Sequence, residues 1–418
     1  MRILIANVND ITEIQKSYGD LDLPVSINIL ASITPKRFIL EILNYCMFKN
    51  IDFNKEYDLV ALSFLTDKAV ESYRIADEFR KRGITVVLGG WHSTAIPEEA
   101  KQHADSVVIG EAEETWPQLL KDFENDRLKP FYFQKKPADP KDIPILKNLQ
   151  NNRLYGVLAT RGCPVGCEFC CITHSPFRNV FRTRLIEDVI EEIKALKQDN
   201  FAFYDNSLTI NTSYSKQLFR EMQDLNKKFV ANGNINILAK DEEFLRLARD
   251  AGCMGWFIGF ESVNQKSLDN VGKKTNKILE YSIGVKRLHE YDMHVNGSFI
   301  FGFDTDTLDI FDKTYDMINQ IEIDNPVINI LIPYPGTPLF ERYKAEGRLL
   351  TYDWSKYNNE NVVFKPKNMS PQELLRNARG THKKLYTYPK IITRTFKSLR
   401  FGFHNFLQVG QTNLLNRY

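Results

Sequence analysis

Long apolar runs are missing from this sequence, and cysteines are few for its length. No stretch of the 418 residues approaches the ~18 uninterrupted apolar residues that a transmembrane helix needs. The apolar run at the amino terminus, from Met1 to Asn7, stops too early for a secretory signal peptide, and no cleavage site follows it. Six cysteines without such a signal do not predict a disulfide framework. These absences lead us to expect a cytoplasmic protein.

Acidic residues are absent from the last part of the chain. After Glu373 there is no Asp or Glu but nine Lys or Arg, so the whole-chain charge of +2 leaves −7 on the first 373 residues. Apolar and cationic residues share this tail at a roughly helical spacing: Ile391, Arg394, Phe396, Lys397, Leu399 and Arg400. The pattern predicts a helix that either packs on the rest of the protein or contacts the inner face of an anionic membrane. No nucleic-acid-binding module is recognised, and no nucleic acid partner is expected.

The length predicts two or three domains, and the first 129 residues have the pattern of a doubly wound, Rossmann-like α/β domain. Near-continuous apolar runs between helical segments are typical of buried parallel strands. Such runs occupy residues 2–6, 58–64, 84–88 and 106–109. In these sheets ligands bind at the carboxyl ends of the strands. Residues 130–152, with four prolines among lysines and polar residues, predict a linker.

A second series of β/α repeats occupies residues 153–340. Six repeats with parallel crossovers predict a partial (β/α)6 barrel rather than a full eight-stranded one. We expect its strands at residues 155–159, 201–204, 229–231 with 234–237, 256–259, 295–301 and 327–332. Residues 341–418 then form a mainly helical, basic carboxyl-terminal region.

Three cysteines, Cys163, Cys167 and Cys170, lie in the loop after the first predicted barrel strand. Their C-x3-C-x2-C spacing provides three thiolates for a 4Fe–4S cluster, whose fourth iron stays open to a small ligand. Clusters that only transfer electrons use four cysteines. The alternative is a zinc site, for which Cys171 or His174 would have to provide the fourth ligand.

This cysteine loop, with Phe169 before the third cysteine, resembles that of the radical S-adenosylmethionine (radical SAM) enzymes. The resemblance implies that S-adenosylmethionine (AdoMet) binds the open iron and is cleaved to a 5′-deoxyadenosyl radical, with an electron donor such as flavodoxin or ferredoxin. Later segments are similar to the AdoMet-contacting strand ends of this family. They imply AdoMet contacts from Asp205, Asn206, Asn232, Asn236, Gly259 and Glu261.

The region from Tyr57 to Pro117 resembles the cobalamin-binding domain that is fused to one large radical SAM subclass. This resemblance implies a corrin over the strand ends, where glycines allow close approach. The implied contacts are Ser63, Thr66, Gly89, Gly90, His92, Gly110 and Glu111. The Asp-x-His-x-x-Gly motif that supplies a lower cobalt ligand is absent, so cobalamin would bind without a protein histidine below the metal.

Together the two resemblances imply cobalamin-dependent methyl transfer to an unactivated carbon, at an active site between the two domains. The overall layout, including residues 346–348, Asp353 with Trp354 and the region after Ser370, is similar to that of proteins that include hopanoid-lipid methylases, which favours a small-molecule or lipid-like substrate. Two alternatives remain. One is a radical enzyme that catalyses cyclisation, C–C coupling or rearrangement without methyl transfer. The other is a non-catalytic iron–sulfur or corrin-binding sensor.

Overall fold

Two parallel sheets form the framework of this α/β chain. The computed structural model describes residues 1–9, 25–145 and 155–417. Within these ranges each large sheet has six strands, and a two-stranded antiparallel pair lies beside the second sheet. The strands are β1 (Arg2–Val8), β2 (Ile39–Cys46), β3 (Leu59–Phe64), β4 (Thr85–Gly89), β5 (Ser106–Ile109), β6 (Phe131–Phe133), β7 (Tyr155–Val157), β8 (Thr160–Arg161), β9 (Arg182–Thr183), β10 (Asn200–Phe203), β11 (Lys228–Gly233), β12 (Cys253–Glu261), β13 (His294–Phe301) and β14 (Asn325–Ile330).

Helices cover the faces of both sheets and form the carboxyl-terminal region. They are α1 (Val25–Ile33), α2 (Ala69–Lys81), α3 (Trp91–Ala95), α4 (Pro97–Gln102), α5 (Thr115–Glu124), α6 (Cys171–His174), α7 (Ile186–Ala195), α8 (Thr212–Met222), α9 (Ile235–Leu238), α10 (Glu242–Asp250), α11 (Gln265–Asn270), α12 (Tyr281–Glu290), α13 (Ile310–Gln320), α14 (Pro338–Ala345), α15 (Pro371–Leu385), α16 (Tyr388–Ser398) and α17 (Phe403–Leu415). None of the helices in the described ranges is both long and apolar enough to cross a membrane.

The first sheet has the strand order β2-β1-β3-β4-β5-β6, with every pair parallel. Its central strands are buried on both faces, each against its own apolar cluster, which explains their continuous apolar runs. The doubly wound domain that we predicted is therefore confirmed. The chain leaves β1 toward β2 on one side and returns to β3 on the other, so a crevice opens between the carboxyl ends of β1 and β3.

Two strands of this sheet were not predicted. In β2 a polar Glu41 interrupts the apolar run, and Ile39 is exposed, because this strand forms one edge of the sheet. The other, β6, pairs with β5 and lies inside the predicted linker, so the first sheet extends past residue 129. Three residues are too few to show a period. Residues 146–152 of that linker, with the predicted boundary at 152, lie outside the described residues.

The second sheet has the order β14-β13-β12-β11-β10-β7, again all parallel, and confirms the partial barrel of six β/α units. Helices α7 to α13 pack on its outer face around a continuous core that contains Phe201, Phe229 and Trp256. One predicted strand segment, residues 234–237, is wrong. The strand β11 ends at Gly233 and the following apolar residues form the short helix α9, because a short apolar run is compatible with either conformation.

The carboxyl-terminal region is helical, as predicted, and packs against both domains. The helix α15 begins with a capping box between Ser370 and Glu373 and lies against β14 and α13. In the other direction, Trp354 Nε1 donates a hydrogen bond of 2.8 Å to Glu99 Oε1 in the first domain. This region therefore ties the barrel to the first sheet.

The basic tail packs on the barrel mainly through its polar side. Lys397 and Arg400 pair with Glu322 at 2.6 and 3.3 Å, and Ile391 is buried in the barrel core. These contacts favour the first of the two predictions for this tail, a helix packed on the protein. The outward face of the α16–α17 hairpin carries a stripe of exposed apolar side chains: Tyr388, Ile392, Phe396, Leu399, Phe403 and Leu407.

Candidate active site between the two domains

The cysteine loop is held by its own backbone and by the β8–β9 pair that closes it. The Cys163 amide donates to the Arg178 carbonyl at 2.7 Å, and Thr173 Oγ1 donates to the Cys163 carbonyl at 2.7 Å. Gly162 has φ +93°, and a Cβ at this position would overlap the carbonyl oxygen of Val180. Only glycine satisfies both the backbone conformation and the close approach.

The three cysteine thiols are close enough to influence one another electrostatically. Burial, helped by the charges of Cys170 and Cys163 and opposed by the Lys273 ammonium, raises the pKa of the Cys167 thiol to about 12. Among the described residues, no three His, Cys, Asp or Glu side chains converge on a single metal ion. A cubane needs no such convergence, because each thiolate binds a different iron. The three thiols fit this ligand set.

The two residues considered as a fourth zinc ligand have other surroundings. His174 Nε2 lies 3.1 Å from the Cys167 carbonyl oxygen and so braces the loop. Cys171 directly follows Cys170 in the chain and is the first residue of the helix α6.

A buried ion pair that the sequence did not reveal lies beside the cysteines. Lys273 Nζ is 3.0 Å from Glu261 Oε1. Glu261 ends β12 at a register shift and has φ +63°, and its carboxylate lies over Gly259, where a Cβ would overlap it. The segment before Lys273 is docked on the cysteine loop, because the Glu168 amide donates to the Val271 carbonyl at 2.9 Å. A strained residue at a strand end, paired to a buried cation, is typical of functional sites.

The Lys273 ammonium interacts electrostatically with Cys167 and Cys170. Burial lowers its pKa, but the charges of Glu261, Cys167 and Cys170 outweigh burial and raise the pKa to about 12. This lysine can therefore offset negative charge at the cluster or hold a carboxylate of a bound ligand. Its place was not visible in the sequence because it lies 12 residues after Glu261 in a turn without a motif.

Asp205 and Asn232 hold the backbone that leads into the cysteine loop. The fully buried Asp205 carboxylate accepts hydrogen bonds from the amides of Ala159, at 3.2 Å, and Thr160, while Asn232 Nδ2 donates to the Asp205 carbonyl at 2.8 Å. Burial raises the Asp205 pKa to about 6 despite these hydrogen bonds. The structure thus gives Asp205 a positioning role at the strand end, and its direct contact with AdoMet stays a prediction.

Two other predicted AdoMet contacts are half-buried: Asn206, which lies three residues after β10, and Asn236, which lies in the helix α9 that follows β11. In the described part of the chain, Asn236 Oδ1 is buried and has no hydrogen-bond partner. A buried acceptor without a donor costs free energy, so a ligand that brings an N–H or O–H group would stabilise this position. AdoMet carries an amino group and two ribose hydroxyls, and the residues present fit it.

A cavity of about 360 Å³ lies at the carboxyl ends of the first sheet. Four strand ends contribute to it, and the second domain lines it with Arg161, Ser175, Pro176 and Arg178, which lie before and after the cysteine loop in the sequence. The cavity is therefore shared by the two domains, and its size is typical of small-molecule sites. Of the predicted cobalamin contacts, five line it: Ser63, Gly89, Gly90, Gly110 and Glu111.

Backbone conformation and packing within the protein account for two glycines of this cavity, Gly90 and Gly110. Gly90 has φ +95° and a Cβ there would lie 2.7 Å from the Phe64 carbonyl oxygen. Gly110 has φ +90° and its Cβ position is filled by the Gln134 side chain. Our reason for these glycines, close approach of the corrin, is thus replaced by backbone conformation and packing within the domain.

Thr66 and His92 are not among the residues that line the cavity. His92 is completely buried, with Nε2 3.4 Å from Glu99 Oε1 and its ring between those of Phe64 and Trp354. This surrounding gives His92 a packing role between the first domain and the carboxyl-terminal region. A contact of either residue with cobalamin stays a prediction.

Glu111 is the centre of a charge network across the domain boundary. Its Oε2 lies 2.7 Å from Arg182 Nη1, and its Oε1 lies 2.9 Å from Arg178 Nε and 3.6 Å from Arg161 Nη1. Burial would raise the Glu111 pKa, but the hydrogen bond from Arg182 and the charges of the other two arginines lower it to about 2. Sequence reasoning missed these arginines because they are 50 to 71 residues away from Glu111, with no shared motif.

Comparisons with known proteins agree with this architecture. Residues 157–318 match the radical SAM superfamily, residues 49–120 match the B12 binding domain, and residues 337–409 match a domain of unknown function, DUF4070. The bacteriochlorophyllide d C-12(1)-methyltransferase of Chlorobaculum tepidum is 34% identical over 400 residues, which are 92% of this chain and 87% of that protein. The C-8(2)-methyltransferase of the same organism is 31% identical, over 90% of this chain and 88% of that protein.

Among solved structures, the cobalamin-dependent S-adenosylmethionine radical enzyme OxsB with aqua-cobalamin and S-adenosylmethionine bound has the same fold. It superimposes with a TM-score of 0.71 over 95% of this chain and 68% of that one, at 14% identity.

Proposed function

Since the chain belongs to the radical SAM superfamily and carries the B12-binding domain of its cobalamin-dependent methyltransferases, we propose that it methylates a carbon atom of a tetrapyrrole. Its cofactors are a 4Fe–4S cluster, AdoMet and cobalamin. When bound, they supply a carbon-centred radical and a transferable methyl group. The protein supplies binding, orientation and exclusion of water.

The interdomain cavity is the observation that carries this proposal. The strand ends of the B12-binding domain line this cavity together with four residues on the two sides of the cysteine loop, Arg161, Ser175, Pro176 and Arg178. A substrate in the cavity would therefore lie between the cobalamin-binding strand ends and the residues that flank the cluster loop. A sensor would need neither a shared cavity nor a buried ion pair beside the cysteines.

We propose the following roles for the side chains of the site. The three cysteines hold the cluster, and Asp205 positions the strand that enters their loop. Glu261 and Lys273 orient the amino acid part of AdoMet through their opposite charges, with Asn206, Asn232, Asn236 and the backbone at Gly259 around the rest of the molecule. Ser63, Gly89, Gly90, Gly110 and Glu111 form the wall that receives cobalamin.

The proposed substrate class is supported by the relatives rather than by the cavity alone. Two enzymes that are 34% and 31% identical over at least nine-tenths of this chain both act on bacteriochlorophyllide d, at different carbons. The carbon that receives the methyl group is outside this proposal.

The test is an anaerobic assay with the reconstituted enzyme. The chain is loaded with iron, sulfide and hydroxocobalamin, and incubated with reductant, bacteriochlorophyllide d and AdoMet labelled with a trideuterated methyl group. We expect 5′-deoxyadenosine and a product heavier by one trideuteromethyl group, and neither with Cys167→Ala. Formation of 5′-deoxyadenosine together with a cyclised or rearranged product that lacks the label would contradict methyl transfer.

We further propose a small reductant of the flavodoxin or ferredoxin class as electron donor, because the reaction needs one electron at a time. Replacing the chemical reductant of this assay with reduced flavodoxin or reduced ferredoxin tests this point. We expect one of them to support turnover at micromolar concentration, and no turnover with either protein, where the chemical reductant supports turnover, would contradict this donor class.

The exposed stripe of the α16–α17 hairpin supports a peripheral contact with lipid. We propose that this stripe, rather than the paired cations behind it, meets the membrane. Co-sedimentation with phosphatidylglycerol vesicles is expected for the wild type and is expected to be lost in Phe396→Glu. Equal sedimentation of both proteins would rule out this surface.

A further inference from the structure

The charge network around Glu111 contains more cations than anions. Three arginines, Arg161, Arg178 and Arg182, surround two carboxylates, Glu111 and Glu113. All but Arg178 are at least nine-tenths buried. Within this set of described residues one positive charge is therefore left without a negative partner in a region of low water content, and such a charge is costly unless a ligand neutralises it.

Both oxygens of Glu111 and one oxygen of Glu113 are already engaged by hydrogen bonds or ion pairs. Glu111 Oε2 accepts from Arg182 at 2.7 Å, from Gln134 Nε2 at 2.9 Å and from the Ala138 amide at 3.2 Å. Its Oε1 is shared by all three arginines, and Glu113 Oε1 is taken by Arg161. In the described part of the chain, Arg161 Nε is buried and has no acceptor.

Of the two arginines that line the cavity, Arg178 has the more exposed side chain. It is 25% exposed, against 5% for Arg161, and both line the cavity, whereas Arg182 does not. Its guanidinium lies over the Trp91 ring, 5.5 Å from the centroid, and contacts Glu111 through Nε. Burial and the charge of Arg161 lower its pKa to about 10, which is the direction expected for a cation without sufficient partners.

We propose that Arg178, backed by Arg161, binds an oxyanion of the ligand in the interdomain cavity: the nucleotide phosphate of cobalamin or a carboxylate of the substrate. This proposal rests on the proposed function, which assigns the cavity to these two ligands. A guanidinium recognises either group through charge-assisted hydrogen bonds. The competing explanation is that Arg178 only joins the two domains through Glu111.

Stability of the ligand-free protein separates the two explanations. In Arg178→Met two arginines remain for two carboxylates, so the charges balance and we expect an unchanged or higher Tm. Arg182→Met is the matched control, because Arg182 does not line the cavity and makes a bidentate contact with Glu111. Loss of this contact should lower the Tm of Arg182→Met. A Tm for Arg178→Met that falls as far as that of Arg182→Met would overturn the proposal.

Ligand binding then identifies the source of the oxyanion. Equilibrium dialysis of the protein without AdoMet or reductant compares cobinamide phosphate with cobinamide, and bacteriochlorophyllide d with its methyl ester. We expect Arg178→Met to weaken binding of the anionic member of one pair by about tenfold to a hundredfold, with the neutral member unchanged. The pair whose anionic member loses affinity in Arg178→Met shows whether Arg178 binds the phosphate of cobalamin or the carboxylate of the substrate.

Equal affinities of wild type and Arg178→Met for all four compounds, or equal losses for the neutral and anionic members, would refute the oxyanion site. Because these measurements involve no turnover, they are separate from the test of the methyl transfer. A protein with the binding preference but without labelled product would contradict the proposed function alone.

Discussion

The ion pair of Lys273 and Glu261 allows a quantitative test of the site in the apoprotein. The two side chains are 13% and 9% exposed and 3.0 Å apart. Lys273→Met leaves the Glu261 carboxylate buried without its cation, which costs about 3–5 kcal/mol in pairs of this kind. With an m-value of about 3 kcal/mol/M, the urea midpoint of the variant should fall by about 1–2 M.

The double variant Lys273→Met with Glu261→Gln is the control. Because it removes both charges, most of the loss should be recovered, to within about 1–2 kcal/mol of the wild type. Urea unfolding of the cluster-free protein, followed by circular dichroism, measures all three proteins. A single variant that unfolds at the wild-type midpoint, or a double variant no more stable than the single one, would refute the pairing.

The same substitution has an expected consequence in the reconstituted enzyme. A cation beside Cys167 and Cys170 favours the reduced, more negative cluster, so Lys273→Met should have a lower reduction potential than the wild type. Redox titration of the cluster absorbance measures this change, and a potential equal to or higher than that of the wild type would exclude an electrostatic role of Lys273.

Two further predictions concern the support of the cysteine loop. Gly162→Ala should lower iron loading, because its Cβ overlaps the Val180 carbonyl. Gly166 also has a positive φ, +80°, but a Cβ there would have no atom within 4 Å, so Gly166→Ala should lose only ~1 kcal/mol of stability through backbone strain and keep its iron. Equal iron content in both variants would show that the overlap does not matter. The Asp205 pKa of about 6 lies above its value of ~3.9 in unfolded chains, so folded protein binds this proton more tightly and stability should fall as pH rises from about 4 to 6. Asp205→Asn should lack this part of the pH dependence, and the same slope in both proteins would assign it to other groups.

The sequence alone determined the features that depend on neighbours along the chain. The three cysteines, the glycine at 162 and the continuous apolar runs of strands such as β3 and β5 were all found from spacing and composition. Each belongs to one loop or one buried strand, whose residue types are dictated by that element itself. Parallel strands covered on both faces leave a strong pattern because every position must be apolar.

Only the tertiary structure decided which distant residues meet. Glu261 meets Lys273 because the cysteine loop holds the turn that carries the lysine, and Glu111 meets Arg182 because the β8–β9 pair faces the first sheet. Tertiary contacts also determine the edge strands β2 and β6 and the burial of His92. Their sequence patterns are weak, and the residues that they contact lie on other elements. Charge pairing depends on distance in space and not on separation along the chain, so no spacing rule could have revealed these contacts.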